Sequence, residues 1–239
     1  MDRKLASVKE AVGRDRYPGR GVLLGMTPDG RAVLAYFIMG RSENSRNRVF
    51  ELRSDGLYTK PFDESKVKDP SLILYRAAGD WENRSVVGNG DQTDTILAAL
   101  AAGGTFEQAL ETRTFEPDAP NFTPRISGMV TYEGDSFSYK MSILKAADAE
   151  GSACVRQFFE YPALPGVGHF LHTYAGDGDP LPPFSGEPEP VSIPDGTDAF
   201  VQDLWDGLDR ENRISLYVSV VGNGDETVYL INKNGGEDA

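Results

Sequence analysis

A glycine-led loop of arginines and serines is the first segment of this sequence that could bind an anion. Residues 40–48 read Gly-Arg-Ser-Glu-Asn-Ser-Arg-Asn-Arg. Guanidinium groups present pairs of N–H donors that match phosphate or carboxylate oxygens, and serine hydroxyls add further donors. The same pattern is also typical of a solvated loop whose arginines pair with acidic residues elsewhere, and the pattern alone leaves both interpretations open. The candidate ligand contacts in this loop are Arg41, Ser42, Arg46, Asn47 and Arg48.

A second polar segment, residues 87–95, joins a strand-like run to a helix-like run and reads Val-Gly-Asn-Gly-Asp-Gln-Thr-Asp-Thr. A glycine turn that leads into a helix can bind anions through its free amides. Here two aspartates would compete with a phosphate for those amides, so we expect recognition of hydroxyl groups, such as those of a ribose. Capping of the helix by Thr93 or Asp94 is an equally good interpretation of the spacing. The candidate contacts are Asn89, Gly90, Asp91, Thr93 and Asp94.

A third segment combines carboxylates with aromatic residues, in Phe-Glu-Pro-Asp at 115–118 and Asn-Phe-Thr-Pro-Arg-Ile at 121–126. A carboxyl group against an aromatic wall can have a raised pKa and act as a general acid or base, which makes Glu116 a candidate. A glutamate beside a proline is also a common surface residue. Tyr75, from an upstream run, is by pattern alone an amphipathic strand residue.

Composition narrows the classes of function. The net charge is −13, yet residues 1–60 carry 12 Lys and Arg against 7 Asp and Glu, whereas the remainder carries 12 against 30. A body this acidic would be repelled by a nucleic-acid backbone, so we expect no DNA or RNA partner and a small anion held at the basic region. One cysteine and two histidines make a transition-metal site improbable, and we expect none. His169 and His172 would face opposite sides of a predicted strand.

The N-terminal segment lacks the apolar run of a signal peptide, and no run approaches the length of a membrane span. We therefore expect a cytoplasmic protein with no membrane association. The single cysteine agrees with a reducing compartment.

The elements that must position these residues are mostly strands. A hairpin is predicted around Pro-Asp-Gly at 28–30, and residues 177–194, rich in Pro, Gly and acidic residues, read as a surface excursion. Residues 1–16 read as a frayed or helical extension. The predicted strands are 21–25, 32–39, 48–53, 72–75, 85–87, 125–132, 136–144, 153–161, 167–174, 214–221 and 227–232.

Three helices are predicted, at 94–102, 105–112 and 197–208. Thr105 to Gln108 has the spacing of a capping box, and Thr197 is the expected cap of the last helix. Because strand and helix blocks are segregated rather than strictly alternating, the pattern favours an α+β fold with mainly antiparallel sheets.

One short sequence occurs twice, since Val-Val-Gly-Asn-Gly-Asp at 86–91 recurs at 220–225. Two strand ends with Asn-Gly turn chemistry explain it better than a duplicated half-domain. We expect the second copy to be a hairpin.

Taken together and in this order, the polar segments resemble the archaeal-type IMP cyclohydrolase family. Asn89 to Ile96 matches a family signature Asn-Gly-x-x-Thr-Asp-Thr-Ile, and residues 123–126 match Thr-Pro-Arg-Ile, which adds Arg125 to the candidate substrate contacts. The family has similar residues at three further places: Asp69-Pro70 to Tyr75, Asn47-Arg48 after Arg-Ser, and Phe115-Glu116-x-Asp118. The resemblance runs from about residue 19 to 130.

Departures from the family pattern concern three regions. The arginine-rich loop is longer here, so Arg46 could take the place of Arg48 in the alignment, and the family's histidine in the Asn-Gly segment is Gln92. Residues 1–18 and those beyond about 135 match poorly, so they carry no assigned substrate contact.

The resemblance implies a four-layer αββα sandwich like that of N-terminal-nucleophile hydrolases, without the nucleophile. Met1-Asp2 agrees, because it offers no Ser, Thr or Cys that processing could expose. Residues 19–239 would form a single domain after an N-terminal extension of residues 1–18. The family's active-site Arg, Tyr and Glu would be Arg48, Tyr75 and Glu116.

The implied activity is the dehydrative closure of 5-formamidoimidazole-4-carboxamide ribonucleotide to IMP. An intramolecular ring closure needs positioning rather than a cofactor, so none is expected. Glu116 would move protons, Arg48 would steady the formyl oxygen and Tyr75 would donate to it, while Arg41 and Arg46 would hold the phosphate. A related amide or nucleotide hydrolase and a non-catalytic purine-nucleotide binder remain rival classes, and the sequence also allows a homo-oligomer.

Overall fold

The computed structural model describes residues 5–67, 74–222 and 224–235 of the chain, and these residues form two seven-stranded sheets with five α-helices. The strands are β1 (Ala6–Ser7), β2 (Arg20–Met26), β3 (Ala32–Met39), β4 (Val49–Arg53), β5 (Gly56–Lys60), β6 (Tyr75–Trp81), β7 (Arg84–Gly88), β8 (Arg125–Glu133), β9 (Ser136–Ala146), β10 (Cys154–Pro162), β11 (Val167–His172), β12 (Glu189–Ser192), β13 (Arg213–Gly222) and β14 (Asp225–Asn232). The helices are α1 (Val8–Gly13), α2 (Glu43–Arg46), α3 (Gln92–Ala101), α4 (Phe106–Glu111) and α5 (Thr197–Gly207).

The strand order defines two mainly antiparallel sheets. Sheet A has the order β1-β12-β11-β2-β3-β13-β14, and sheet B has the order β10-β9-β8-β7-β6-β5-β4. Among the described strands, β1 pairs with β12 in parallel and the other pairs are antiparallel. The predicted α+β class with mainly antiparallel sheets is therefore confirmed.

Strand β3 shows why the two sheets stack. All eight of its residues are buried, and alternate side chains enter two different clusters. Leu34, Tyr36 and Ile38 belong to a core that also holds sheet B residues, whereas Phe37 and Met39 point to the opposite side with α5. A strand covered on both faces reads as a continuous apolar run rather than an alternating one. Burial of each large apolar side chain contributes roughly 1.5–3 kcal/mol.

Four of the five described helices cover the outer faces of the sheets. Helices α1 and α5 pack on sheet A, where Val12 and Leu204 join the outward residues of β3. Helices α3 and α4 pack on sheet B, where Ile96 and Phe106 meet Val86. None of the helices in the described residues is long and apolar enough to cross a membrane.

The predicted hairpin between β2 and β3 is confirmed, with Met26 opposite Ala32. Gly30 has a φ of 89°, a conformation that glycine adopts at little cost, which explains its place in the turn. The hairpin puts Arg20, at the start of β2, beside the end of β3.

Residues of the predicted N-terminal extension take part in the packed body. Helix α1 buries Val8, Ala11 and Val12, and β1 extends sheet A beside β12. A six-residue helix is too short for its sequence pattern to show which face is buried.

Three strands were not predicted, and the first of them is β1 in the segment predicted as a frayed or helical extension. Residues 189–192, expected in a surface excursion, form β12 between β1 and β11, with Val191 fully buried, so that part of the prediction was wrong. Four residues that include a proline show no readable alternation, and their pairing is set by their neighbours. Strand β5 was also missed, although Leu57 and Thr59 alternate with more exposed residues.

Helix starts agree with the sequence in one case and differ in two. The capping box at α4 is confirmed. The backbone amide of Gln108 donates to Thr105 Oγ1 at 3.2 Å, and the backbone amide of Thr105 donates to Gln108 Oε1 at 3.0 Å. At α5 the N-cap is Gly196 without a side-chain bond, so the prediction of Thr197 as the cap was wrong. Helix α3 begins at Gln92, two residues earlier than predicted.

Several predictions fall partly on residues outside the described ones, among them residues 1–4 of the predicted N-terminal extension and Asp69-Pro70 of the family match. Of the predicted strand 72–75, residues 72 and 73 lie outside, and β6 begins at Tyr75. In the second copy of the repeated sequence, residue 223 lies outside, but β13 and β14 pair as an antiparallel hairpin with Gly222 opposite Asp225, as predicted.

Candidate active site

One cleft gathers charged side chains from distant parts of the chain. Its volume is about 270 Å³, and tyrosine rings line part of its wall. Its charged lining residues are Arg20, Arg41, Arg48, Glu116 and Asp118. Three guanidinium groups against two carboxylates give the cleft an excess of positive charge on an acidic protein, as expected for a small anionic ligand.

Strand ends and connecting loops position these groups. Arg20 begins β2, Arg48 directly precedes β4, and Glu116 lies in the loop between α4 and β8. The cleft is therefore lined by Arg20 of sheet A and by residues of the loops and of the short helix α2, among them Arg48 directly before β4 of sheet B.

Arg48 is a buried cation without a carboxylate partner among the described residues. Its side chain is almost fully buried, with Nε donating to the Ser45 carbonyl at 2.8 Å and Nη2 to the Met39 carbonyl at 3.0 Å. Burial and the nearby Arg20 lower the pKa of Arg48. Two carbonyl dipoles orient this guanidinium but do not neutralise it, so a bound anion would gain a desolvated positive partner.

Glu116 is the buried carboxylate of the cleft. Nη2 of Arg20 lies 3.3 Å from Glu116 Oε2 and 3.5 Å from Oε1. Burial raises the pKa of Glu116, and the Asp118 carboxylate raises it further, whereas Arg20, Arg125 and Arg48 oppose the shift. A carboxyl group whose pKa is raised by burial and lowered by nearby arginines can both accept and return a proton.

The loop that carries Glu116 is tied down by its own polar groups. The Glu116 amide donates to the Thr123 carbonyl at 2.9 Å, and the Asp118 carboxylate accepts from the Thr123 amide at 2.7 Å. The hydroxyls of Thr123 and Tyr174 lie 2.5 Å apart, and burial raises the pKa of Tyr174 to about 12. These bonds hold the carboxylate in place at the cleft without a regular element.

Tyr75 is buried next to the cleft but does not line it. Its hydroxyl lies 2.9 Å from the hydroxyl of Tyr36, which is fully buried. Both rings interact electrostatically with Arg20 and Arg48, so the tyrosine pair lies close to the two guanidinium groups. Of the three predicted catalytic residues, Arg48 and Glu116 thus share one cleft and Tyr75 lies beside it.

The mouth of the cleft holds Arg41 and Ser42. The Arg41 guanidinium lies 5.0 Å from the centre of the Tyr17 ring, pairs with Asp177 and donates to the Gly178 carbonyl at 2.9 Å. Ser42 caps α2 in a reciprocal capping box with Ser45. Asn44, in the same short helix, contributes a buried Oδ1 with no hydrogen-bond partner in the described structure.

Arg46 and Asn47 lie outside the cleft. Arg46 donates to the Gly40 carbonyl at 3.0 Å and to Asn212 Oδ1 at 3.1 Å, while Asn47 exchanges two hydrogen bonds of 2.7 Å with the Asp63 backbone. Arg46 is the last residue of α2, and the chain leaves the helical conformation at Asn47, so Arg46 and Arg48 are directed to different surfaces. The geometry therefore favours Arg48 over Arg46 as the arginine of the cleft.

The Asn-Gly segment forms an internal network instead of lining the cleft. Asn89 Oδ1 accepts from the Ile126 amide at 2.8 Å, and Arg125 donates to Gln92 Oε1 at 2.8 Å. Arg125 also pairs with Asp91 at 2.7 Å. This network joins the end of β7 to the start of β8 and so supports the loop of Glu116.

The remaining predicted residues of that segment also have roles within the fold. Gly90 is buried against Arg125, Asp94 pairs with Arg76 at 3.2 Å, and Thr93 is fully buried. The expectation that Thr93 or Asp94 caps the helix is not met, because the N-cap is Asp91, whose carboxylate is turned to arginines and makes no capping bond.

The two histidines of β11 have different contacts. His169 Nδ1 lies 2.7 Å from the Tyr139 hydroxyl and its ring stacks on Tyr161, whereas buried His172 lies 2.7 Å from the Tyr174 carbonyl. Burial lowers the pKa of His169 to about 4. Within the described residues, no group of three or more His, Cys, Asp or Glu side chains could hold a metal ion.

Sequence patterns missed several cleft residues, of which Arg20 is the most central. It precedes the apolar run of β2, and a single charge at the start of a buried strand was the available signal. Tyr17 and Tyr174 lie in loops without a recognisable motif. Their proximity, with ring centroids 6.0 Å apart, follows from strand pairing between β2 and β11.

Comparisons with known proteins point to one family. The sequence profile of the IMP cyclohydrolase-like protein family matches residues 17–231, a span that contains every residue lining the cleft. An IMP cyclohydrolase from Methanopyrus kandleri (strain AV19) is 30% identical to this chain over 165 residues, which cover 63% of this chain and 81% of that protein.

Proposed function

The chain belongs to the family of IMP cyclohydrolase-like proteins, and we propose that it closes 5-formamidoimidazole-4-carboxamide ribonucleotide to IMP in its cleft. It is a cyclohydrolase, an enzyme of the hydrolase class that acts on carbon–nitrogen bonds in cyclic amidines. The observation that carries the proposal is that buried Arg48, which has no carboxylate partner among the described residues, lines the same cleft as the buried carboxylate of Glu116.

The proposed reaction suits these groups. The carboxamide nitrogen attacks the formyl carbon, one of its protons is removed, and negative charge develops on the formyl oxygen. That oxygen then leaves as water, taking up protons from the two nitrogens, and the new C–N bond completes the six-membered ring. Because both reacting groups belong to one molecule, orientation supplies much of the acceleration.

Each proposed role follows from the position of a side chain. Glu116 accepts the carboxamide proton and returns a proton to the leaving oxygen. Arg48 stabilises the developing oxyanion, because a cation already held by two carbonyls needs no reorganisation during the reaction. Tyr75 is the third proposed catalytic residue. To donate a hydrogen bond to the formyl oxygen, its hydroxyl must give up its hydrogen bond with the Tyr36 hydroxyl.

We propose that the phosphate is held at the mouth of the cleft by Arg41 and Ser42. Arg41 is the most exposed of the three cleft arginines, and its guanidinium lies over the ring of Tyr17. Arg46, also predicted to contact phosphate, is directed to Asn212, so we leave it out of the proposed phosphate site. Asn89, Gly90, Asp91, Thr93, Asp94 and Arg125 would act as support for the loop of Glu116.

The local chemistry favours ring closure over hydrolysis by a protein nucleophile. The hydroxyls of Ser42 and Ser45 bond each other at 3.0 Å, and Thr123 is engaged by Asp118 and Tyr174. Neither histidine lines the cleft to activate a hydroxyl. A cyclisation needs no such nucleophile.

The remaining features of the proposal concern architecture and location. The two facing sheets with helices on their outer faces support a four-layer αββα sandwich of the N-terminal-nucleophile-hydrolase type, with residues 19–239 as one domain; the described part of the N-terminal extension, residues 5–18, packs on it. A purine-nucleotide reaction supports a cytoplasmic location and a small-molecule partner, and association into a homo-oligomer remains a proposal.

The decisive experiment is an ultraviolet assay with the formylated imidazole-carboxamide ribonucleotide, carried out in EDTA without added cofactor. We expect IMP to form, because no step requires a metal or a redox group. Binding of IMP without turnover would indicate a nucleotide-binding protein, and release of formate would indicate a hydrolase. Activity lost in EDTA and restored by a divalent cation would contradict the metal-free mechanism.

The proposed phosphate site makes a separate prediction for Arg41. Arg41→Ala should weaken IMP binding by about 1.5–3 kcal/mol, the usual contribution of a hydrogen bond to a charged group. Calorimetry with inosine, which lacks the phosphate, should show no such loss. Arg46→Ala is the matched variant from the same loop and should bind IMP as tightly as the unmodified protein. Equal losses for IMP and inosine would remove Arg41 from the phosphate site.

A further inference from the structure

Arg20 is a buried cation to which the proposed mechanism gives no role. Its side chain is 12% exposed, and its Nη2 contacts both oxygens of Glu116 at 3.3 and 3.5 Å. Its Nε is buried and has no hydrogen-bond partner in the described structure. A buried arginine is costly unless it is paired, so the contact with Glu116 is the interaction that justifies its position.

The groups that face Glu116 come from several elements, and among the described residues Arg20 is the cation in direct ionic contact with it. Arg48, before β4, is oriented by backbone carbonyls, and Arg125, on β8, is paired with Asp91. Asp118 lies in the same loop as Glu116 and adds a like charge. Tyr174, after β11, interacts electrostatically with Glu116 and Arg20 and is neutral near pH 7, because its pKa is raised to about 12.

We infer that Arg20 is the positioning residue of Glu116, holding its carboxylate ionised and oriented toward the cleft so that it can accept the substrate proton. The inference rests on the proposed function, in which Glu116 is the base. Without a cation at 3.3 Å, a carboxyl group this deeply buried would favour its neutral form, which cannot accept a proton. Arg20 acts through Glu116 and is not assigned a contact with the substrate.

The sign of the pH effect follows from this role. A base works in its ionised form, so turnover rises as the pH rises through the pKa of Glu116. Arg20 lowers that pKa, in opposition to burial. Removal of Arg20 should therefore move the acidic limb of the pH–rate profile to higher pH, and raising the pH should recover part of the lost activity.

The test compares Arg20→Gln and Arg20→Lys with Arg31→Gln. Arg31 also pairs with a carboxylate, Asp29 at 2.9 Å, but lies at the opposite end of the β2–β3 hairpin. We expect Arg20→Gln to lose roughly tenfold more turnover at pH 5.5 than at pH 8.5, because each unit of pKa is tenfold in proton affinity. Arg20→Lys should keep a profile close to that of the unmodified enzyme, and Arg31→Gln should leave it unchanged. An equal loss at every pH in Arg20→Gln, with no rescue in Arg20→Lys, would overturn the inference.

A second measurement does not depend on turnover. In protein with ¹³C-labelled glutamate carboxyls, the Glu116 signal is assigned by its absence in Glu116→Gln. Its titration should move to higher pH in Arg20→Gln and stay near the original in Arg20→Lys. If the unmodified protein forms no IMP, the proposed function fails, whereas an unmoved Glu116 titration in the folded variants contradicts the role of Arg20 by itself.

Discussion

Replacing Glu116 with glutamine should lower turnover by about 10²–10⁴, the usual span for a general acid–base residue, while IMP binding survives. Glutamine keeps the shape of the side chain but cannot accept the carboxamide proton. The change also removes the negative charge that faces Arg20 and Arg48, so the cleft becomes more positive. Binding of the IMP phosphate should therefore stay equal or become tighter, and calorimetry together with kcat measures both effects.

The matched control for this prediction is Glu107→Gln. Glu107 also pairs with a cation, Lys140 at 2.7 Å, but it lies on α4 outside the cleft. Its turnover should equal that of the unmodified enzyme. Turnover retained in Glu116→Gln would remove this residue from the chemistry, and loss of IMP binding together with turnover would indicate a structural role instead.

The second large effect is expected at Arg48. Arg48→Met should lower kcat by about 10²–10³, the usual effect of removing one preorganised oxyanion donor, with little change in KM. Arg48→Lys keeps the charge but loses the fixed donor geometry, so its kcat should lie between those of the unmodified enzyme and Arg48→Met. Arg48→Met leaves the Ser45 and Met39 carbonyls without their donor, which costs about 1–3 kcal/mol of folding stability for a buried group, so thermal melts must accompany the kinetics.

Arg46→Met is the comparison that separates the two alignments of the arginine loop. It should keep both kcat and KM, because its guanidinium faces Gly40 and Asn212. If Arg46→Met lost turnover and Arg48→Met did not, the alternative alignment would be correct. A raised KM with unchanged kcat in Arg48→Met would assign Arg48 to ground-state binding of the phosphate instead.

The fold class and several local features could be predicted because they depend on neighbouring residues. The β2–β3 hairpin follows from a glycine turn between apolar runs, and the capping box of α4 from Thr105 and Gln108. Strand β12 could not be predicted, since its four residues gain their hydrogen bonds from β1 and β11, which are distant in sequence.

The candidate site was predictable as a set of segments but not as an arrangement. Motif order identified Arg48 and Glu116 as candidates, and the structure places both at one cleft. The same motifs suggested Asn89 and Arg125 as ligand contacts, whereas their polar groups are used within the protein. Residue type shows what a side chain can bond to, and tertiary packing decides which partner it meets.

By itself, the sequence determined the α+β class, the resemblance to a nucleotide-cyclising family and the segments from which a site could be built. Only the tertiary structure decided that Arg20 pairs with Glu116 across 96 positions of sequence and that Arg48, rather than Arg46, faces the same cleft. The physical reason is that patterns of spacing report the local periodicity of helices and strands. Ion pairs between distant residues depend instead on strand register and on the stacking of two sheets, which arise from packing of the whole chain.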